Sequence, residues 1–301
     1  MREIRRAPSR SFGGSGDRIA GGSVLAVSAV CILVLGFILF FLVRESLPVL
    51  RQVRLKELLF GMDWYPQEEP PLLGMGALIG GTVAASLLST LIGLPASLAA
   101  AVFTAEIAPV WLRALLKPLL EVLGFVPSIV FGFIGMALVA PWMQRHLHVL
   151  TGLNLLTASM LLGGMMIPVV GSLADEALRA VPEELRAASY AIGATRWETL
   201  SRVVLPAALP GIASASLLGI MRGMGETMVV LMAAGGAAIL PASPFDPVRP
   251  LTSTIAAEMG ETPVGSAHYH ALFFAGFILL LLTLSINILA GKLERKGARS
   301  S

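Results

Sequence analysis

The chain has 301 residues, 55% of them hydrophobic and only 14% charged, with a mean hydropathy of +0.80, a balance outside the range of soluble globular domains and proper to an integral membrane protein. Its net charge of +3 is spread among apolar blocks and forms no basic face, so membrane topology accounts for it and a nucleic-acid partner is excluded. The single cysteine, Cys31, lies in an apolar run, which excludes an intramolecular disulfide.

In chain order, residues 1–20 carry "GGSGD" and read as a disordered lead-in. Six apolar stretches then follow, at about 22–43, 74–103, 119–142, 150–171, 208–234 and 269–291. Each reaches the roughly 20 residues that a spanning helix needs. The expected fold is therefore an all-α membrane protein, with one six-helix domain over 21–291 and a short tail over 292–301. The first stretch outruns the core of a signal peptide and no small-residue cleavage pattern follows it at "FFLVRESLPVL", so it is read as a retained anchor. In the third, Pro127 and Gly132 are candidates to bend the helix, and Glu121 can pair with Lys117 one turn before it.

With six spans both ends share one side, and the basic residues say which. The set of loops holding both tails, Arg113, Lys117, Arg179, Arg186, Arg196 and Arg202 carries 15 Lys/Arg; the other set carries six, and Arg222 lies within a span. Both termini are expected in the cytoplasm. Two long connections are then assigned: 172–207 is polar, helical in composition and cytoplasmic, whereas 235–268 is rich in Gly and Pro and external.

The fifth span contains "MRGMGETM", with Arg222 and Glu226 four residues apart. Charges at that depth are costly and face a protein interior or a solute path. At that spacing the two share one helix face and can pair, which lowers the cost of carrying both. Either they form a bridge that orients the helix, or Arg222 offers its planar donor fork to an oxyanion while Glu226 keeps the empty site near neutral.

The loop "VPEELRAASYAIGATRWETLSRVVLPAALPG" places Leu185, Ala188, Ile192, Trp197 and Leu200 near one helical face, interrupted by a possible bend at Gly193. On periodicity alone it is either an interfacial helix on lipid headgroups or a knob presented to the cytoplasm. Its residues resemble the permease signature of ABC importers: Gly193, nine residues, Val203, one residue, then Leu205 and Pro206. Ala187 stands where that signature has glutamate, and Glu183 and Glu184 come a turn too early. "RGMGETM", "FDPVRPLTSTIAAEMGETPVGSAHYHALFFAG", "GTVAASLLSTLIGLPASLAAAVFTAEIAP" and "LEVLGFVPSIVFGFIG" narrow the resemblance to the phosphate-specific importer permeases, C-type subunit, over about residues 60–290.

That resemblance implies a type I ABC importer permease core in the inner membrane of a prokaryote, with cytoplasmic coupling helices over about 184–202. The ATPase would be met by Glu184, Ala187, Gly193, Arg196, Trp197 and Pro206, and the anion by Arg222 and Glu226. It also implies a second permease subunit, two copies of a cytoplasmic ATPase and an extracytoplasmic phosphate-binding protein docking near the 235–268 loop. The chain has no G-x-x-x-x-G-K-[ST] loop, so ATP hydrolysis falls to a partner, and neither cofactor nor metal is expected. His146 with His148, and His268 with His270, are two apart and lack a completing carboxylate or cysteine, so they are read as interfacial. The spacings Gly76 to Gly80 and Gly219 to Gly223 fit close helix packing.

Rival functions are weaker. A secondary transporter or channel would leave the large cytoplasmic loop without a role. An intramembrane enzyme lacks H-E-x-x-H, G-x-S-x-G and paired membrane aspartates. A permease for another oxyanion, molybdate or sulfate, is the nearest alternative, since tetrahedral anions differ mainly in protonation and size.

Overall fold

A computed structural model describes residues 15–300, and the side chains of 21–288 and Gly291. The lead-in expected over 1–20 lies outside the described residues as far as residue 14, and from Ser15 the chain is helical. Helix α1 (Ser15–Ser46) is followed by a short α2 (Leu55–Phe60) and a two-stranded antiparallel hairpin, β1 (Trp64–Tyr65) and β2 (Leu72–Leu73). Then come α3 (Gly76–Val102), α4 (Val110–Gly124), α5 (Ser128–Ile134) and α6 (Ala140–Leu147). The second half holds α7 (Leu155–Arg179), α8 (Glu183–Ala191), α9 (Arg196–Thr199), α10 (Leu205–Gly225), α11 (Met228–Ala233), α12 (Leu251–Glu258) and α13 (Ala267–Ser300). The tail expected from 292 continues α13 to Ser300.

Among the described residues, six helical stretches are long and apolar enough to cross a membrane: Gly21–Arg51, Gly76–Ile107, Ser128–Leu147, Leu155–Arg179, Arg196–Gly225 and Ala267–Ile288. The first and fourth run eight residues further than expected, to Arg51 and Arg179, and two differ more. The third span begins at Ser128 and not near 119, because Pro127 starts a new helix in place of bending an old one; the residue before a proline disfavours the α region, and proline suits a helix start. The apolar residues before it belong to α4, a separate amphipathic helix. The fifth span starts earlier, through a π-helical turn at Leu200–Val204 that joins α9 to α10, and stops at Gly225.

The centre of the domain is the α3–α7 pair, with α10 laid against both. Gly93 and Gly163 permit the approach: a Cβ on Gly93 would stand 2.6 Å from the Gly163 Cα. Glycine at such a crossing lets two backbones meet without side chains between them. Of the two spacings expected to do this, Gly219 does face Val170 of α7, but a Cβ on Gly223 would meet Ser89 Oγ at an ordinary 3.7 Å, and Gly76 and Gly80 face loop residues. One end of the trio buries Ala101, Met166, Val170, Leu178, Leu200 and Val204. The opposite end of the domain buries Val49, Leu58, Trp64, Met75, Leu251 and Leu272 beneath the hairpin. The apolar window of α1 is exposed in the isolated chain, and α1 meets α13 through Phe41 and Phe273, whose ring centroids are 5.6 Å apart.

The Gly- and Pro-rich stretch after 234 is structured. Gly235 and Gly236 take positive φ values of 93° and 70°, and the chain folds back to cap α7: Leu155 N donates to Asp246 O and Leu156 N to Pro244 O. Those are orphan donors of a helix start, and Asn154 Oδ1 takes a third from Thr157 N.

Candidate coupling surface and anion path

Helix α8 starts after Pro182 and ends in a Schellman turn. Gly193, at φ 86°, donates its N–H to Tyr190 O, and Ala194 donates to Ser189 O. A left-handed residue just past a helix end is what this motif requires, and glycine adopts it without strain. Thr195 then begins α9 with a capping box: Glu198 N donates to Thr195 Oγ1 while Thr195 N donates to Glu198 Oε2 at 2.9 Å. Two short helices at a fixed bend result, tied by a buried 2.9 Å contact between Ser189 Oγ and Thr199 Oγ1. The bend read at Gly193 in the sequence is where the structure has it.

Glu184, Ala187, Gly193, Arg196 and Trp197 come together on this knob, all exposed. Ile192 is 87% and Trp197 68% exposed, large apolar side chains held out from the knob and left uncovered by the described residues. Such anchors are typical of the centre of a protein contact. Pro206 is not on the knob; it opens α10 and lines an apolar cavity of about 400 Å³ with Leu98, Ala174, Leu178, Leu209 and Ile212.

The knob sits on a charged base that no sequence motif announced. Arg186 Nη1 lies 2.8 and 2.9 Å from the two carboxylate oxygens of Glu106, and its Nη2 donates to Leu178 O at 2.8 Å. Arg113 Nε and Arg179 Nη2 donate to Thr104 O, left unpaired where the chain turns at Ala108. Buried Asp175 accepts from Arg179 Nε and Nη2 at 3.1 and 2.9 Å, with Lys117 Nζ 3.9 Å from its other oxygen. Lys117 therefore faces α7, through Asp175 and Glu176, and not Glu121 as expected; Glu121 is exposed and makes no ion pair among the described residues. These contacts join residues up to 80 positions apart, beyond the reach of local patterning.

Arg222 and Glu226 do not pair. The helix that would align them ends at Gly225, and Glu226 is extended (φ −69°, ψ 132°). Its Oε1 accepts from Thr227 N and Met228 N, both at 3.1 Å, so it caps the start of α11, while its carbonyl accepts from Thr252 Oγ1 on α12. Arg222 stands exposed in the last turn of α10 with no hydrogen bond or ion pair among the described residues. Its neighbour Gly223 faces Ser89, 13 residues along α3 from Gly76, which is about 20 Å at 1.5 Å per residue. The end of α10 that carries Arg222 thus lies beside the middle of the Gly76–Ile107 span.

At the opposite end from the knob, Glu258 gathers Arg249 Nη1 at 2.8 Å, His268 Nε2 at 2.8 Å and Trp64 Nε1 at 3.1 Å, locking the hairpin to α12 and α13. His270 Nδ1 lies 2.8 Å from Glu45 O, and His146 stacks on Trp142. His268 and His270 thus join different elements, whereas His146 packs within α6 itself. His148 ends α6 in the left-handed region at φ 52°. Among the described residues no group of His, Cys, Asp and Glu is arranged to hold a metal ion.

The six helices long and apolar enough to cross a membrane, packed about the α3–α7–α10 trio, define a multi-pass membrane protein. Residues 93–298 match the family model of binding-protein-dependent transport system inner membrane components, and the chain belongs to that family. It is 38% identical over 227 residues to the probable ABC transporter permease protein YqgH of Bacillus subtilis, covering 75% of this chain and 74% of that one. It is 33% identical over 262 residues to the phosphate transport system permease protein PstC of Pasteurella multocida, covering 79% and 80%. Among solved structures, a bacterial alginate ABC transporter in complex with its pentasaccharide-bound periplasmic protein aligns with a TM-score of 0.61 over 93% of this chain and 96% of that one, at 16% identity. That likeness shows the fold, the type I ABC importer permease architecture expected from the sequence.

Proposed function

We propose that the chain is the C-type transmembrane subunit of an ATP-driven inorganic phosphate importer, forming half of the translocation path beside a second permease subunit. The observation that carries the reading is the rigid α8–Gly193–α9 knob on a frame whose relatives include phosphate permeases. ATP is hydrolysed by two copies of a cytoplasmic ATPase docked on the knob, and an extracytoplasmic phosphate-binding protein delivers the anion to the opposite end. Exposed Ile192 and Trp197 supply the apolar anchors of the ATPase contact, with Glu184, Ala187 and Arg196 around them. Pro206 acts behind that contact, by fixing the first turn of α10.

In this reading the knob and both termini are cytoplasmic, supported by the excess of Lys/Arg on that set of loops. Arg222 is the anion ligand of the path. Its exposure, and the lack of a partner among the described residues, leave the donor fork free for phosphate oxygens, and Glu226 fixes the helix break that presents it. The test is reconstitution with its sister subunit, ATPase and binding protein in proteoliposomes, followed by uptake of labelled phosphate against sulfate and molybdate. ATP-dependent uptake of phosphate alone is expected; uptake of sulfate or molybdate in its place would reassign the substrate, and uptake without ATP would reject the class.

A further inference from the structure

The knob meets the spanning helices through few polar contacts, and one residue makes the central one. Glu183 and Glu184 of α8 form no hydrogen bond or ion pair among the described residues, whereas Arg186 makes three hydrogen bonds with its side chain only 17% exposed. Its guanidinium joins three elements at once: α8 itself, the π-helical turn Phe103–Ile107 that ends the α3 span, and Leu178 in the last turn of α7. The fork is planar and its donors are fixed relative to one another, so a shift of α8 cannot keep all three bonds unless the ends of α3 and α7 move with it. Glu106 is held from behind, because Arg113 and Arg179 tether the carbonyl of Thr104 in the same turn. The α8–α9 unit is itself internally tied by the Ser189–Thr199 contact.

We infer that Arg186 and Glu106 form a positioning linkage through which displacement of the knob is passed to the inner ends of α3 and α7. The inference rests on the reading of the knob as the ATPase contact. A bridge that served folding alone would contribute to stability and leave the ratio of transport to hydrolysis untouched.

The experiment uses the full reconstituted complex carrying Glu106→Gln, Arg186→Gln or Arg186→Lys. The ATPase is expected to co-purify at parent yield with both glutamine variants, while anion uptake per ATP hydrolysed falls about tenfold or more, the scale of a lost charge-assisted hydrogen bond. Arg186→Lys should recover part of the ratio, since it keeps a charge facing Glu106 and loses the fork. A second readout needs no substrate: spin labels at Ala191→Cys on α8 and Ala99→Cys on α3, in a Cys31→Ser background, should hold one separation with and without ATP in the parent. In Glu106→Gln that separation should change on ATP binding. An unchanged uptake-to-hydrolysis ratio, loss of the ATPase from Glu106→Gln, or identical label distances in parent and variant would each overturn the linkage. If the parent complex fails to move phosphate yet the labels behave as expected, the substrate assignment fails and the linkage stands.

Discussion

Replacing Gly193 by alanine isolates one backbone angle. The residue sits at φ 86° in a Schellman turn, and a Cβ built there meets nothing within 4 Å, so the substitution brings conformational strain and no steric clash. Placing a non-glycine residue in the left-handed region costs about 1–2 kcal/mol. That energy works against the one geometry in which α8 and α9 present Ile192 and Trp197 together. A penalty of that size lowers the docking-competent fraction by up to about 5- to 30-fold, and the apparent affinity for the ATPase falls in proportion. Titration of the ATPase against the permease pair in nanodiscs measures this directly. Gly193→Asn is the control, because asparagine tolerates the left-handed region and should weaken binding less than alanine. Parent affinity in Gly193→Ala, or equal losses for alanine and asparagine, would refute the argument that the angle at 193 sets the knob.

Arg222→Ala is expected to abolish phosphate uptake while the complex still assembles, since Arg222 has no partner among the described residues to lose; co-purification and uptake measured together check it. Glu226→Ala removes the acceptor for Thr227 N and Met228 N and should cost about 1 kcal/mol, read as a lower melting temperature in detergent, whereas Glu226→Gln keeps an amide oxygen for the cap and should melt near the parent. Gly93→Val places a side chain against the α7 backbone at Gly163 and should destabilise the fold by about 3 kcal/mol or more, seen as loss of monodisperse protein on extraction. In the Cys31→Ser background, an impermeant thiol reagent added outside should label Glu68→Cys on the hairpin side and spare Ala191→Cys on the knob; the reverse pattern overturns the orientation.

Much of the architecture was legible in the sequence because a bilayer imposes long apolar runs, and because local backbone chemistry is written in adjacent residues. Six spans and the helix pair around Gly193 depend on neighbours within a few positions. Where the reading slipped, the fault lay in the ends of elements. Pro127 looked like a kink and is a helix start; "MRGMGETM" looked like one continuous helix and is broken at Glu226. In the second case, hydropathy runs on without a break into α11, and it is the capping by the Glu226 side chain, together with Thr252 of α12, that fixes the interruption.

What only tertiary structure decided is which distant charges meet. Lys117 has an obvious local partner at Glu121, yet its ammonium turns to Asp175 and Glu176, where α4 lies against α7. Arg186 is one of several arginines in a polar loop until Glu106, 80 residues earlier, is brought beneath it by the end of the α3 span. Gly93 and Gly163 likewise carry no signal beyond abundance until two helices cross at that point. Sequence determines hydropathy, propensity and capping because these act between neighbours along the chain. Pairing across the domain depends on how six helices are rotated and set in depth against one another, and that is fixed by the sum of their packing.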